Sequence, residues 1–414
     1  MRLDISKLDV RALMRFDACM RCGECTTTCP TGGEAQQVEL VTPRGKILRL
    51  RGYIRDQMGL RARLLGPRDI PEEGMRELAS RAYECTICGQ CASVCPAHLD
   101  TIEMWENMRE FLVANGLGPL EAHGQLVKSI ENYDNPWMQP RTQRSRWARH
   151  VGGDVKVPDS LKERHDVLYF VGCTAAYDPN IRAMAVNTAR VLSRAGMDYG
   201  TLGNQEACCG STLLRTGLRE NARAMAEKNI ANFERADPSM IVTSCAGCYK
   251  TLRQDYPRLG TLRPRVVHIT DLVDGLLRDG RLALRKGFER RVAFHDPCHL
   301  GRHNGLYEEP RRILEMIDGL RLVEMERNRE EARCCGAGGG VKTAFAELAD
   351  DISVMRVRDA EAVGAEVLTT SCPFCYQSLK AAIESSGSKL VMMDLMELVW
   401  SACDPSPDEG RRGF

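Results

Sequence analysis

Short apolar runs of strand length punctuate the second half of the chain, and each stops at or just before a cysteine. Residues 166–172 read DVLYFVG and end at Cys173, and residues 291–294, RVAF, end just before Cys298. Residues 240–243, MIVT, and 366–370, EVLTT, each end before a C-x2-C pair. Helical spacing fills stretches between them, for example 221–233 and 308–317. This alternation predicts βα units around a largely parallel sheet. It puts the cysteines at the carboxyl ends of strands, where open α/β sheets carry their sites. The first hundred residues differ, because 45–81 is rich in Leu and Arg and mostly helical in pattern. No apolar run approaches the roughly 18 residues of a membrane span.

The strand-and-cysteine pattern occurs twice. Cys173, Cys208 and Cys245 recur as Cys298, Cys334 and Cys372, at offsets of 125, 126 and 127 residues. Flanking residues repeat too: 242–249, VTSCAGCY, aligns with 369–376, TTSCPFCY. Gene duplication is the simplest account. It predicts two similar domains related by a pseudo-twofold axis, with their cysteine sets facing each other.

The chain has 414 residues and a formal net charge of +1. That length holds two or three domains with real cores. The balanced charge gives no support to a nucleic-acid partner. The first seven residues, MRLDISK, are charged and lack the apolar core of a signal peptide. The expected location is therefore cytoplasmic, and the cysteines are expected as reduced thiols.

Nineteen cysteines remain to be explained. Two blocks read C-x2-C-x2-C-x3-C-P: Cys19, Cys22, Cys25, Cys29 with Pro30, and Cys85, Cys88, Cys91, Cys95 with Pro96. This is the spacing of bacterial [4Fe-4S] ferredoxin sites, in which the fourth cysteine ligates the other cluster. The expected metal ligands are Cys19, Cys22, Cys25 and Cys95 for one cubane cluster. For the second they are Cys85, Cys88, Cys91 and Cys29. A pair of zinc sites needs only four thiolates each and no crossover.

The other two blocks read C…CCG…C-x2-C. They are Cys173, Cys208, Cys209, Cys245, Cys248 and Cys298, Cys334, Cys335, Cys372, Cys375. Five thiolates exceed the four an ordinary cubane needs, so the choice is an unusual cluster or a four-ligand site with a spare nucleophile. Vicinal cysteines reach two irons of one cluster more easily than one iron. The glycine run 336–340, GAGGG, offers room for something bulky nearby. His295 and His299 flank Cys298 and are the candidate catalytic residues. They could protonate a departing thiolate, or simply pack and donate hydrogen bonds to cluster sulfurs. Tyr249 and Tyr376 read as packing residues, and Cys403, outside every block, as a buried thiol.

Two ferredoxin motifs followed by two complete CCG sets resemble the catalytic D subunit of heterodisulfide reductase. The pattern is equally similar to the K subunit of the Dsr membrane complex and the B subunit of the Tmc complex of sulfate reducers. The resemblance spans residues 15–400. It is carried further by 42–46, TPRGK; 208–217, CCGSTLLRTG; 295–302, HDPCHLGR; and 325–330, MERNRE. It implies that each five-cysteine set binds a noncubane [4Fe-4S] cluster. It also implies a disulfide or trisulfide substrate, or thiols in reverse. The implied partner is a membrane cytochrome b-type or quinone-reactive subunit, or another electron-transfer subunit, with membrane association through it. An alternative on the same architecture is the electron-transfer subunit of a flavin-dependent glycolate, lactate or glycerol-3-phosphate dehydrogenase. A zinc-stabilised interaction scaffold is the rival from another class.

The expected organisation is an α-helical two-cluster ferredoxin domain at 1–110, a linker at 111–160, α/β CCG domains at 161–287 and 288–403, and a disordered tail at 404–414. The segment 132–158 is expected to wrap rather than dangle, because Trp137 and Trp147 need burial. Its Arg141, Arg144, Arg146 and Arg149 read as a solvated basic strap, or else as a docking patch for a partner.

Overall fold

The structure is a computed structural model that describes residues 1–32, 39–153 and 155–403. The expectation of a disordered tail at 404–414 lies outside the described residues. The chain divides into two compact units. The first comprises Met1–Val127, Ser211–Ala222 and Arg333–Ser353, and the second Lys128–Gly210, Arg223–Ala332 and Val354–Phe414.

Among its described residues the first unit forms helices and no strand. In the helix Thr101–Ala114, Thr101, Met104, Trp105, Met108, Phe111 and Leu112 are buried. That spacing of three and four residues makes one apolar stripe. Asp100 caps the helix by accepting from the Glu103 amide at 3.1 Å. In Glu72–Tyr83 the buried residues are Met75, Leu78, Ala79, Ala82 and Tyr83, again one stripe. The helix Pro43–Met58 starts with proline at its first position and Thr42 accepting from Gly45 N–H at 3.2 Å. These stripes meet around Phe16, Leu50, Met75, Leu78, Trp105 and Phe111.

The second unit holds two four-stranded parallel sheets. The first consists of β1 (Val167–Tyr169), β2 (Tyr199–Gly200), β3 (Met240–Thr243) and β4 (Arg265–His268), in the order β2-β1-β3-β4. The second consists of β5 (Arg291–Phe294), β6 (Arg321–Leu322), β7 (Val367–Thr370) and β8 (Val391–Asp394), in the order β6-β5-β7-β8. Register runs Val167 to Met240 in one and Val292 to Val367 in the other. The central strands are buried on both faces, and so they read as unbroken apolar runs. In this order the chain leaves β1 to one side and enters β3 on the other. The switch point therefore lies at the carboxyl ends of β1 and β3, and likewise of β5 and β7. The strand-following cysteines stand there.

The helix Arg182–Arg194, which follows β1, packs on Leu395–Ala402, which follows β8. The helix Glu308–Glu315, which follows β5, packs on Ile269–Arg278, which follows β4. Each half thus lays its early helix on the late helix of the other, as a pseudo-twofold relation requires. Arg312 fastens one of these pairs by bidentate bonds to Asp274 at 3.0 and 2.7 Å.

The linker wraps as a 3-10 helix, Arg141–His150, with Trp147 buried and Trp137 half-buried. The solvated strap needs correcting: Arg146 and Arg149 are exposed, but Arg144 is only 2 % exposed. In a 3-10 helix residues three apart share a face, so Trp147 carries Arg144 inward with it.

Candidate metal centres

The two ferredoxin-type motifs adopt the same backbone. Arg21 and Gly23 have φ of 64° and 93°, and Ile87 and Gly89 have 53° and 78°. A β-branched residue at positive φ costs about 1–3 kcal/mol and persists only where its surroundings impose it. The bend turns amides inward, and the Ile87 N–H points at Cys85 Sγ at 3.4 Å. Two hollows result. One is lined by Cys19, Cys22, Cys25, Cys91 and Cys95, the other by Cys29, Cys85, Cys88 and Cys91. Cys29 thus faces the cysteines of the second motif, and Cys95 those of the first. Burial pushes the Cys25 thiol up to about 11 and raises Cys29 and Cys91 as well. Such thiols become thiolates at neutral pH only with a metal beside them.

In the second unit, seven cysteines form a continuous chain of thiols. Cys173 bonds to Cys208, Cys208 to Cys209, and Cys248 donates to Cys209 at 3.3 Å. Cys248 bonds in turn to Cys245, Cys245 to Cys372, and Cys372 to Cys375. The C-x2-C pairs of the two halves therefore meet at Cys245 and Cys372. Hydrogen bonds from Cys208 and then Cys248 lower Cys209 to about 6, and bonds from Cys245 and then Cys375 lower Cys372 as well. Gly172, at φ 80°, lets this happen, since a Cβ there would lie 3.2 Å from Cys248 Sγ. All seven are buried.

The vicinal pairs are held alike. Gly210 N–H donates to Cys208 Sγ and Gly336 N–H to Cys334 Sγ, both at 3.4 Å. Cys334 and Cys335 belong to the segment Arg333–Ser353 of the first unit, whereas Cys298, Cys372 and Cys375 belong to the second. The glycine run is not open space. A Cβ on Gly338 would stand 2.5 Å from the Thr86 carbonyl oxygen, and one on Gly339 would run into that of Cys85. Glycine serves here for close backbone approach, which corrects the expectation of room for a bulky group.

Several neighbours were not legible from motifs. Arg144 donates to Cys173 Sγ at 3.4 Å and pairs with Glu206, itself buried. Glu206 also accepts from the Val171 and Gly172 amides at 2.9 Å each. Asn229 clamps the first vicinal pair, accepting from Ala207 N–H at 3.1 Å and donating to Cys208 O at 3.0 Å. The spacing of Arg144 from Trp147 was the one available signal for this group.

His295 is buried, and a ring nitrogen lies within 4.8 Å of Cys375 Sγ. Burial, then the neighbouring Arg356, lowers its pKa to about 3, so it is neutral. Its Nδ1 accepts from Arg356 Nε at 3.2 Å, which leaves the proton on Nε2, a buried atom with no hydrogen-bond partner among the described residues. His299 is half-buried and meets the His303 ring edge-on at 4.4 Å between centroids. Tyr249 packs edge-on against His268, and Cys403 is buried.

Converging thiols, some shifted toward ionisation by hydrogen bonds from neighbouring thiols and others shifted away from it by burial, are a donor set suited to iron–sulfur clusters. The chain matches the Cysteine-rich (CCG) domain twice, over residues 167–253 and 292–380. It matches the 4Fe-4S dicluster domain over residues 15–99. Fold and site together define an iron–sulfur oxidoreductase. The chain is 40% identical over 405 residues to the D subunit of dihydromethanophenazine:CoB–CoM heterodisulfide reductase of Methanosarcina mazei, with 97% of each chain covered. It is 31% identical to the B subunit of fumarate reductase (CoM/CoB) of Methanothermobacter marburgensis, covering 94% of this chain and 73% of that one. A solved structure of a hypothetical protein from Helicobacter pylori shares the fold, with a TM-score of 0.53 and 10% identity over 87% of this chain and 73% of that one. The protein belongs to the family of heterodisulfide reductase D subunits. No helix among the described residues is long and apolar enough to cross a membrane.

Proposed function

We propose that the protein is the catalytic subunit that reductively cleaves a disulfide or trisulfide, or oxidises thiols in reverse. The observation that carries this reading is the meeting of the two C-x2-C pairs at Cys245 and Cys372. Cleaving a disulfide consumes two electrons and two protons and yields two thiols. A site joining two equivalent sets suits a bond with two ends.

The proposed ligands are Cys19, Cys22, Cys25 and Cys95 for one cubane [4Fe-4S] cluster, and Cys29, Cys85, Cys88 and Cys91 for the other. The lining of the two hollows supports that crossover. Each five-cysteine set, Cys173, Cys208, Cys209, Cys245, Cys248 and Cys298, Cys334, Cys335, Cys372, Cys375, is proposed to hold a noncubane cluster. This rests on the resemblance to the heterodisulfide reductase D family and on the two matches to the cysteine-rich domain. When bound, such clusters supply single electrons beside the sulfur being reduced.

The chain's own residues do the rest. Arg144 and the Gly210 N–H donate to Cys173 and Cys208 and so stabilise charge on those sulfurs. His295, neutral and carrying its proton on Nε2, serves as an N–H donor to sulfur. We propose that His299 passes a proton to a departing thiolate. The N-terminal region is read as an α-helical ferredoxin-type relay, fed on the cytoplasmic side by a membrane cytochrome b-type or quinone-reactive subunit.

Purified protein should carry iron and sulfide, roughly 16 to 20 iron per chain for four clusters. It should oxidise reduced benzyl viologen when a mixed thiol disulfide is added. Zinc without sulfide would mean a scaffold. Full cluster loading without turnover of any disulfide would sink the catalytic reading and favour a subunit that only conducts electrons for a flavin dehydrogenase.

A further inference from the structure

Arg109 is wholly buried in the first unit. Its guanidinium donates to Ala82 O at 3.1 and 2.8 Å, Cys85 O at 2.5 Å, Arg215 O at 2.5 Å and Gly339 O at 2.6 Å. Its carbon lies 4.8 Å from the centre of the Tyr83 ring, whose hydroxyl donates to Thr216 O at 3.0 Å. These carbonyls come from three stretches of chain. One opens the second ferredoxin-type motif. One begins two residues after Cys209, and one carries Cys334 and Cys335. Every one of these hydrogen bonds is to a neutral carbonyl; the nearby carboxylate that acts on the charge, Glu106, also pairs with Arg215 at 3.2 Å.

A second buried cation stands nearby. Lys46 is 1 % exposed and lines the hollow of Cys29, Cys85 and Cys88. Its Nζ lies 5.7 Å from the centre of the Trp105 ring, and the Trp105 indole donates to Cys91 Sγ at 3.4 Å. The other hollow differs. Cys22 is exposed, and the nearby Arg44 and Arg51 are paired with Glu39 and Asp17 at 2.9 and 2.7 Å.

Accepting an electron makes a thiolate-bound site more negative. Burial opposes that change, so the Cys85 side alone would be harder to reduce than the exposed Cys22 side, and electrons would stop at the surface. Buried positive charge and hydrogen bonds to sulfur act in the opposite direction.

We propose that Arg109 and Lys46 are positioning residues that hold up the reduction potential of the site formed by Cys29, Cys85, Cys88 and Cys91. They make it the last N-terminal stop before the cysteine-rich halves. This rests on the reading that both hollows hold [4Fe-4S] clusters. In the transfer the exposed site is oxidised by one electron as the buried site is reduced by one. The external donor refills the first, and the cysteine-rich halves drain the second, two such transfers supplying the two electrons that one disulfide takes.

The test is a redox titration of the full, cluster-loaded chain followed by electron paramagnetic resonance, in wild type, Lys46→Met, Arg109→Lys and Arg109→Gln. One N-terminal signal should move to lower potential in Lys46→Met and Arg109→Gln, with Arg109→Lys close to wild type. The other N-terminal signal should hold in all of them. If Arg109→Gln fails to fold, Lys46→Met carries the test, since the Lys46 side chain hydrogen-bonds no other segment among the described residues and methionine keeps its packing on Trp105. Unmoved potentials in the folded variants, or equal movement of both signals, would overturn the proposal. Absence of two N-terminal cluster signals in the wild type would instead remove the reading beneath it.

Discussion

In the first cysteine-rich half, the cysteine after β1 rests against a buried guanidinium–carboxylate pair, Arg144 and Glu206. In the second, the corresponding strand β5 leads into a buried neutral histidine backed by Arg356, and the buried guanidinium–carboxylate pair is Arg311 with Asp296, two residues before Cys298. The helix after the first C-x2-C breaks into a π-turn at Thr251–Asp255, while the second runs on as Pro373–Ser386. Strand order, register and cysteine spacing were kept, and the side chains in direct contact with the sulfurs were not. Duplication conserved what fixes positions and kept a buried Arg–carboxylate pair in each half, while the individual side chains beside the sulfurs changed. The two halves therefore share a strand frame and set different side chains beside their cysteines, Arg144 at Cys173 and a neutral His295 near Cys375.

The strongest way to break this comparison is to disable one half at a time. Cys209→Ala and Cys335→Ala should each abolish disulfide reduction while the untouched set keeps its spectroscopic signal. Near-normal turnover from either variant would mean that the halves act independently. Next in size is the buried pair. Arg144→Ala strands the Glu206 carboxylate and should cost about 3–5 kcal/mol in chemical denaturation. Glu206→Gln in the same chain should restore most of it. Arg356→Ala should cost less, because its partner Asp359 keeps 21 % of its side-chain surface in water. Equal losses would erase that difference between the halves.

A smaller contrast concerns the vicinal pairs. Asn229→Ala removes all three bonds that clamp Ala207 and Cys208, leaving buried backbone groups unmatched at about 1–3 kcal/mol. Ser353 donates to Cys335 O at 2.7 Å and to Ala349 O at 2.8 Å. Ser353→Ala should cost only about 0.5–1.5 kcal/mol, the usual net worth of such bonds. Thermal melts rank the two. Least of all, Arg146→Ala should change stability by no more than about 0.5 kcal/mol, as an exposed residue does. It lies two positions from Arg144, so a larger loss would show that the strap is held by more than its buried face.

Much of this was legible in the chain. The central strands β1, β3, β5 and β7 announced themselves because burial on both faces demands unbroken apolar residues. The edge strands β2, β4, β6 and β8 did not. Two of them are two residues long, and β4 and β8 mix buried with half-exposed positions. Arg144 was read as solvated because composition alone favours that for arginine. The glycine run was read as empty because glycine looks the same whether it makes room or admits a neighbouring backbone.

The sequence by itself determined the cysteine inventory, the duplication and the strand ends that carry the cysteines. These depend on local spacing and on which residues can sit in a buried strand. Only the tertiary structure decided that Cys245 meets Cys372, that Arg144 reaches Cys173, and that Arg109 joins carbonyls as far as 230 residues away. The energy of a buried charge or thiol is set by what other segments bring to it. No local pattern encodes a partner at that distance.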